Sequence, residues 1–199
     1  PESTGTGRFG NWLENLVDWN LSRSRYWGTP LPIWRTEDGA EEICIGSLEQ
    51  LKSEIEKAQA SEILTSAQSA GNAAFLKALA AGEADLHRPF VDEVFLLSAT
   101  GNVLTRELDL IDVWFDSGAM PFAQWHYPFE NQDVFKQSYP ADFISEGVDQ
   151  TRGWFFTLHA ISCMVEDSVA FKNVVSTGLV LDKNGNKMSK RLGNAIDPF

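Results

Sequence analysis

Apolar positions along the chain recur at helical spacing in some stretches and at strand spacing in others. After Ser47, residues Leu48, Leu51, Ile55 and Ala58 fall on one face, and Gln50 completes a capping box with Ser47, so a helix is expected there. Residues 66–81 are alanine-rich with Phe75, Leu76 and Leu79, and Gly82 is placed to end a second helix. Together, 47–82 read as a helical insertion whose alanines serve close packing, not chemistry. Val91–Leu97 and Val103–Leu110 read as strands around the turn Thr100-Gly101-Asn102, and Asp38-Gly39 as a turn between short strands within 36–46. Residues 1–10, rich in Gly, Ser and Thr, read as a linker. In 11–35, Trp12, Trp19, Trp27 and Trp34 stand among arginines, and Pro30 and Pro32 keep the later part extended.

The last third changes character. Asp142–Ser145 reads as a short buried strand running into Glu146-Gly147-Val148-Asp149. A helix through Met164 follows, with Asp149 as N-cap and Trp154, Leu158, Ile161 and Val165 on one face. Val174–Leu181 is a further apolar strand. Strand, glycine turn, helix and strand make a βαβ unit, hence an α/β fold with a parallel sheet. Such sheets take ligands at the carboxyl ends of their strands, where the segments after Ser145 and Leu181 both lie.

Composition narrows the function. With 199 residues, 43% of them hydrophobic, the chain can bury one good core and a smaller satellite. A net charge of −12 argues against a nucleic-acid grip by this piece alone. The charge is uneven: residues 36–110 hold 14 acids and 5 bases, whereas 182–191 hold one acid and four bases. An anion would therefore be held at the second stretch, and the acidic middle reads as solvated surface. Two cysteines, Cys44 and Cys163, suggest neither a disulfide framework nor a Cys-rich metal site, and no apolar run reaches membrane-spanning length. The start at Pro1 and the stop at Asp197-Pro198-Phe199 read as a segment of a longer protein.

Lys187-Met188-Ser189-Lys190-Arg191, preceded by Asn184-Gly185 and followed by Gly193-Asn194, is the most informative stretch. Two lysines a turn apart, a hydroxyl between them and flexible flanks suit a mobile clamp on a polyphosphate. In Glu146-Gly147-Val148-Asp149-Gln150, Gly147 allows close backbone approach, Asp149 can accept from ribose hydroxyls, and Gln150 can donate and accept. Asp149 can equally be a helix cap, and Trp154 can be core or the wall of an apolar pocket. Asp112–Gly118 mixes aromatics and acids and can be a strand end entering a turn. Asn20–Gly28 alternates arginines with small residues and can face phosphates or form a salt-bridged strand. Other readings fail: no P-loop is completed at Lys187, and Asp182, Asn184 and Asn186 mimic a calcium loop whose sixth and twelfth positions are wrong. His87, His126 and His159 are scattered and read as structural.

These blocks, in this order, resemble the isoleucyl-tRNA synthetase family of class I aminoacyl-tRNA synthetases. The carrying runs are Ser22–Gly28, Asp112–Gly118, Glu146–Phe155 and Lys187–Arg191, and the third separates isoleucyl from valyl and leucyl relatives. The resemblance implies the second half of a Rossmann-like nucleotide-binding fold. Residues 1–35 would re-enter the catalytic core, 36–110 would be an acidic helical insertion with short strands, and 111–199 would complete the fold up to the lysine loop. It implies ATP as substrate with Mg2+, L-isoleucine and tRNA(Ile) as partners, a monomeric cytoplasmic parent and no membrane. Lys187, Ser189 and Lys190 would act on the phosphates; Glu146, Gly147, Asp149, Gln150 and Lys190 would hold ATP or the adenylate; Trp154 would line the amino-acid pocket.

The family's His-Ile-Gly-His-type motif and its editing insertion are absent from these residues, so the segment alone is expected to be inactive. Many relatives carry zinc knuckles at positions equivalent to 36–46 and 97–102; here only Cys44 remains, and no zinc is expected. Arg191 stands where many relatives have serine. A valyl or leucyl synthetase and a non-catalytic nucleotide-binding module are the alternatives.

Overall fold

The computed structural model describes residues 2–195; Pro1 and residues 196–199, with the terminal Asp197-Pro198-Phe199, lie outside them. The chain divides into two compact units, one formed by Pro1–Trp19 with Trp114–Phe199 and the other by Asn20–Val113. Where composition reads as a linker, Ser3–Phe9 is a π-helical segment that continues into a short helix, Gly10–Glu14 (α1). Tertiary contacts override the Gly/Ser/Thr composition: Arg8 Nε donates to Thr151 Oγ1 at 2.9 Å, and Phe9 stacks on His159.

Within Asn20–Val113, Ser22–Arg23 (β1) pairs antiparallel with Leu110–Ile111, and a four-stranded antiparallel sheet forms the rest. That sheet is built from Ile33–Arg35 (β2), Glu42–Cys44 (β3), Phe95–Leu97 (β4) and Val103–Arg106 (β5), in the order β3-β2-β5-β4; Leu110–Ile111 is β6. Residues Val91–Glu93, expected to begin a strand, lie instead in a 3₁₀ turn, Phe90–Glu93. Two helices, Leu48–Ala60 (α2) and Ser66–Ala81 (α3), cover the sheet. Trp34, Leu51, Ile55, Phe75, Val94, Leu96 and Leu104 form the buried core, and the Trp34 indole N–H donates to Val94 O at 2.9 Å.

The helix caps are local consequences of sequence. Ser47 Oγ accepts from Gln50 N at 3.1 Å, but the Gln50 side chain accepts from Gly46 N, not from Ser47, so the expected box is half formed. The reciprocal box occurs at α3, between Thr65 and Gln68, and Gly82 ends that helix at φ +72°. Leu48 stays exposed while Leu51, Ile55 and Ala58 are buried. Among charged groups, Arg106 is 4% exposed and is held by the Asp92 carboxylate and the carbonyls of Glu107 and Asp109. Arg23 meets the buried Asp112 carboxylate at 2.6 Å, which supports the salt-bridged reading of its strand.

The other unit carries Val113–Gly118 (α4), Met120–Ala123 (α5), Gln132–Ser138 (α6), Ile144–Gly147 (β7), Trp154–Glu166 (α7) and Val174–Thr177 (β8). Strands β7 and β8 pair in parallel, with Ala141 and Phe171 bridged just before them. Strand, crossover helix and parallel strand agree with the expected α/β unit. Its details differ. Strand β7 starts later than expected and is half exposed, not buried, and β8 ends at Thr177, with Val180 and Leu181 exposed beyond it. On α7 the buried residues are Phe155, Thr157, Leu158, Ile161 and Ser162, whereas Val165 is exposed. Gly118 lets α4 lie against α7, since a methyl group there would sit 2.8 Å from the Thr157 backbone.

Candidate functional site

The predicted residues form two groups, of which the first follows directly on the carboxyl end of strand β7 and the second lies in the loop that begins ten residues after β8. The register sets Ile144 opposite Val174 and Gly147 opposite Thr177, so the chain leaves both strands along the same edge. After Gly147 it makes a 3₁₀ turn, Val148–Arg152, and then enters α7; after Thr177 it runs towards the lysine loop.

The first group is Glu146, Gly147, Asp149, Gln150 and Trp154. Glu146 ends exposed on β7, and Asp149 is exposed in the 3₁₀ turn. Asp149 is not the helix cap: α7 starts after Gly153, and Gln150 Oε1 accepts from Trp154 N at 3.0 Å instead. The reason is geometric, because the extra 3₁₀ turn moves the first free N–H groups beyond the reach of Asp149. Gln150 Nε2 in turn donates to Asp149 Oδ2 at 3.2 Å, so one amide ties the carboxylate to the helix start. Gly153 is needed there, since a Cβ would lie 2.8 Å from Gln150 Oε1 and 3.4 Å from the Trp114 ring. Arg152 stacks over Trp12 at 5.4 Å.

Trp154 is half-buried and its indole N–H donates to Ser117 O at 3.2 Å. It lines a cavity of about 370 Å³ together with Met120, Pro121, Trp125, Tyr139 and Leu158. That volume lies in the usual range of small-molecule sites, roughly 300–1,000 Å³. Trp114, part of a block that can be read as a plain strand end, is the residue that sequence reasoning left unassigned. Its signal was an aromatic pair flanked by Asp112 and Asp116, and the structure sets its ring beside Gly153.

The second group is Lys187, Ser189 and Lys190. Both lysines are exposed, and neither has an ion-pair partner among the described residues. The loop is nevertheless ordered by its own bonds. Leu181 bridges Lys187, the turn between them is closed by Asp182 N to Asn186 O at 2.8 Å, and Gly185 supplies φ +79°. Asp182 Oδ1 accepts from the N–H groups of Asn184 and Asn186, which explains why these residues mimic a calcium loop: the carboxylate binds backbone instead. Those donors hold the Asp182 carboxyl below its ordinary range, the Asn194 side chain first among them. Asn194 Oδ1 accepts from Ser189 N at 2.8 Å, and a 3₁₀ turn, Lys190–Leu192, follows. No hydrogen bond or ion pair joins the two groups among the described residues.

The 36–41 and 98–102 turns are joined through one carboxylate. Glu41 accepts from Ser98 Oγ at 2.9 Å, Thr100 Oγ1 at 2.8 Å and Asn102 Nδ2 at 2.7 Å, tying the 36–41 and 98–102 turns together. Hydroxyl and amide groups around one carboxylate do not suit zinc, which takes thiolate and imidazole. Cys44 is exposed and unpaired, and no group of three or more His, Cys, Asp or Glu able to hold a metal occurs among the described residues.

The α/β unit with its parallel strand pair agrees with the comparisons. The family described as tRNA synthetases class I (I, L, M and V) matches residues 1–199, and the chain belongs to it. It is 70% identical over its whole length to the isoleucine–tRNA ligase of Cytophaga hutchinsonii, 66% identical to that of Bacteroides thetaiotaomicron and 49% identical to that of Thermus thermophilus. The chain spans only 17–18% of the length of these relatives. Among solved structures it resembles the Agrobacterium radiobacter K84 agnB2 LeuRS in its complex with tRNA and LeuAMS, at TM-score 0.54 and 19% identity, over 98% of this chain and 25% of that one. No helix among the described residues is long and apolar enough to cross a membrane.

Proposed function

We propose that the chain is the later part of the catalytic domain of an isoleucine–tRNA ligase. The parent would join L-isoleucine and ATP into isoleucyl-adenylate and pass the acyl group to tRNA(Ile). The observation that carries this reading is the 70% identity to a protein named isoleucine–tRNA ligase over the whole of this chain.

In the first step a carboxylate oxygen of isoleucine attacks the α-phosphorus of ATP, and the bond to the pyrophosphate oxygen breaks. Catalysis is then mostly positioning and neutralisation of charge. Lys187 and Lys190, exposed and without carboxylate partners among the described residues, would meet the β- and γ-phosphates, with Ser189 adding a hydroxyl contact. Glu146, Gly147, Asp149 and Gln150 would hold the adenylate, chiefly its ribose, and Trp154 would wall the isoleucine pocket. Magnesium would arrive with the nucleotide, held largely by phosphate oxygens. Residues 1–35 would lead back into the core, 36–110 would be an insertion and 111–199 would complete the nucleotide fold. The parent would act as a cytoplasmic monomer, and these 199 residues alone would be inactive.

Pyrophosphate exchange by the full-length parent, run with isoleucine, valine and leucine, tests the reading; preference for valine or leucine overturns it. Lys190→Ala in that parent should slow adenylate formation by about 10²–10³-fold, on the order of 3–4 kcal/mol. An unchanged rate would remove the lysine from the mechanism.

A further inference from the structure

We propose that Asp182 and Asn194 form a latch that positions the lysine loop, a role distinct from the phosphate contacts of the lysines; the catalytic part of this inference rests on the function proposed above.

The latch follows from five bonds. Asn194 Nδ2 donates to Asp182 Oδ2 at 2.8 Å and to Lys187 O at 3.3 Å, while Asn194 Oδ1 accepts from Ser189 N at 2.8 Å. A single amide thus grips the backbone on both sides of Met188. Asp182 Oδ1 is already fixed by the N–H groups of Asn184 and Asn186, at 2.9 and 2.8 Å, so the amide is anchored to a closed turn. Both side chains are half-buried in a segment whose lysines are exposed. Gly193, at φ +66°, lets the chain double back so that Asn194 reaches Lys187. The distribution of labour is clear: the cations are left available to an anion, and the neighbouring polar groups are spent on backbone.

The chemistry of the pair is directional. One side supplies only an acceptor and the other supplies the donor, so either single exchange creates a mismatch. Asp182→Asn sets an amide N–H either against the Asn194 amide or against the N–H groups of Asn184 and Asn186, and Asn194→Asp faces carboxylate against carboxylate. Making both exchanges restores one donor and one acceptor, although the weaker bond to Lys187 O is not recovered.

The test uses the full-length parent with pyrophosphate exchange and amide hydrogen exchange as independent readouts. Each single exchange, and Asn194→Ala, should lower kcat by about 10- to 100-fold while the KM for isoleucine stays within about twofold. The double exchange should return kcat to within about threefold to fivefold of the wild type. The Ser189 amide should be protected in the wild type and in the double exchange, and should lose protection in Asn194→Ala. Single variants with unchanged kcat, or a double exchange no better than the singles, overturn the latch. An unprotected Ser189 amide in the wild type overturns it whatever the activity. A wild-type parent that exchanges no pyrophosphate but protects Ser189 retains the latch and sinks the functional reading instead.

Discussion

The carboxylate of Asp149 lies over the α-carbon of Gly147, so that a methyl group placed there would come within 2.5 Å of Oδ1. Gly147 itself has φ −63° and ψ 151°, an ordinary extended conformation that alanine adopts freely. The glycine is therefore needed for the carboxylate and not for the backbone. Gly147→Ala should leave stability within about 0.5 kcal/mol, because the carboxylate can swing aside. In the full-length parent it should raise the KM for ATP by about tenfold, read by pyrophosphate exchange. A normal KM would show that the position of Asp149 does not matter to nucleotide binding.

Asn72, fully buried on α3, exchanges two bonds with one residue of β4: its Nδ2 donates to Phe95 O and its Oδ1 accepts from Phe95 N, both at 2.8 Å. Asn72→Ala should destabilise the chain by about 2–4 kcal/mol, since it leaves a buried N–H and a buried C=O without partners. Urea unfolding of the 199-residue chain measures this. A loss under 1 kcal/mol would mean that water replaces the amide.

Much of this structure was legible in the sequence where local rules decide it. The bounds of α3, the αL glycine at Gly82 and the antiparallel pair around Gly101 follow from capping and turn chemistry. The parallel pair β7-β8 was legible as a βαβ unit, but its exposure was not, because hydrophobic pattern reports what a residue can bury and not what covers it. The capping of α7 by Gln150 was illegible for another reason. An inserted 3₁₀ turn shifts every subsequent donor, and no periodicity registers a turn of five residues. The latch between Asp182 and Asn194, twelve positions apart, needed coordinates.

Glu41 gathers Ser98, Thr100 and Asn102 around one carboxylate, and these donors hold its carboxyl below the ordinary value, Asn102 foremost. A lowered folded pKa means that its contribution to stability is present above the unfolded value near 4.5 and is lost as pH falls through the folded one. Glu41→Gln should therefore lower the melting temperature at pH 7, and the gap to the wild type should close progressively below pH about 4.5. A chelator should leave the wild-type melting curve unmoved. A constant gap between pH 7 and 3, or a chelator-induced drop, would contradict a metal-free hydrogen-bonded staple.

His159 should impose a second, higher pH window. It is half-buried on α7, stacks on Phe171 at 4.2 Å, and its Nδ1 accepts from Ala170 N at 3.2 Å, a bond available only to the unprotonated nitrogen. Burial pushes its pKa down. The unfolded chain then takes up a proton near pH 6.5 while the folded one does not, so stability is full above that value and falls as pH drops towards the folded pKa. Urea midpoints of the wild-type chain should decline between pH 7.5 and 5.5. His159→Gln keeps an acceptor for Ala170 N but cannot titrate, so its midpoint should be nearly flat over the same range. A slope that persists in the glutamine variant would place the proton uptake on some group other than this imidazole.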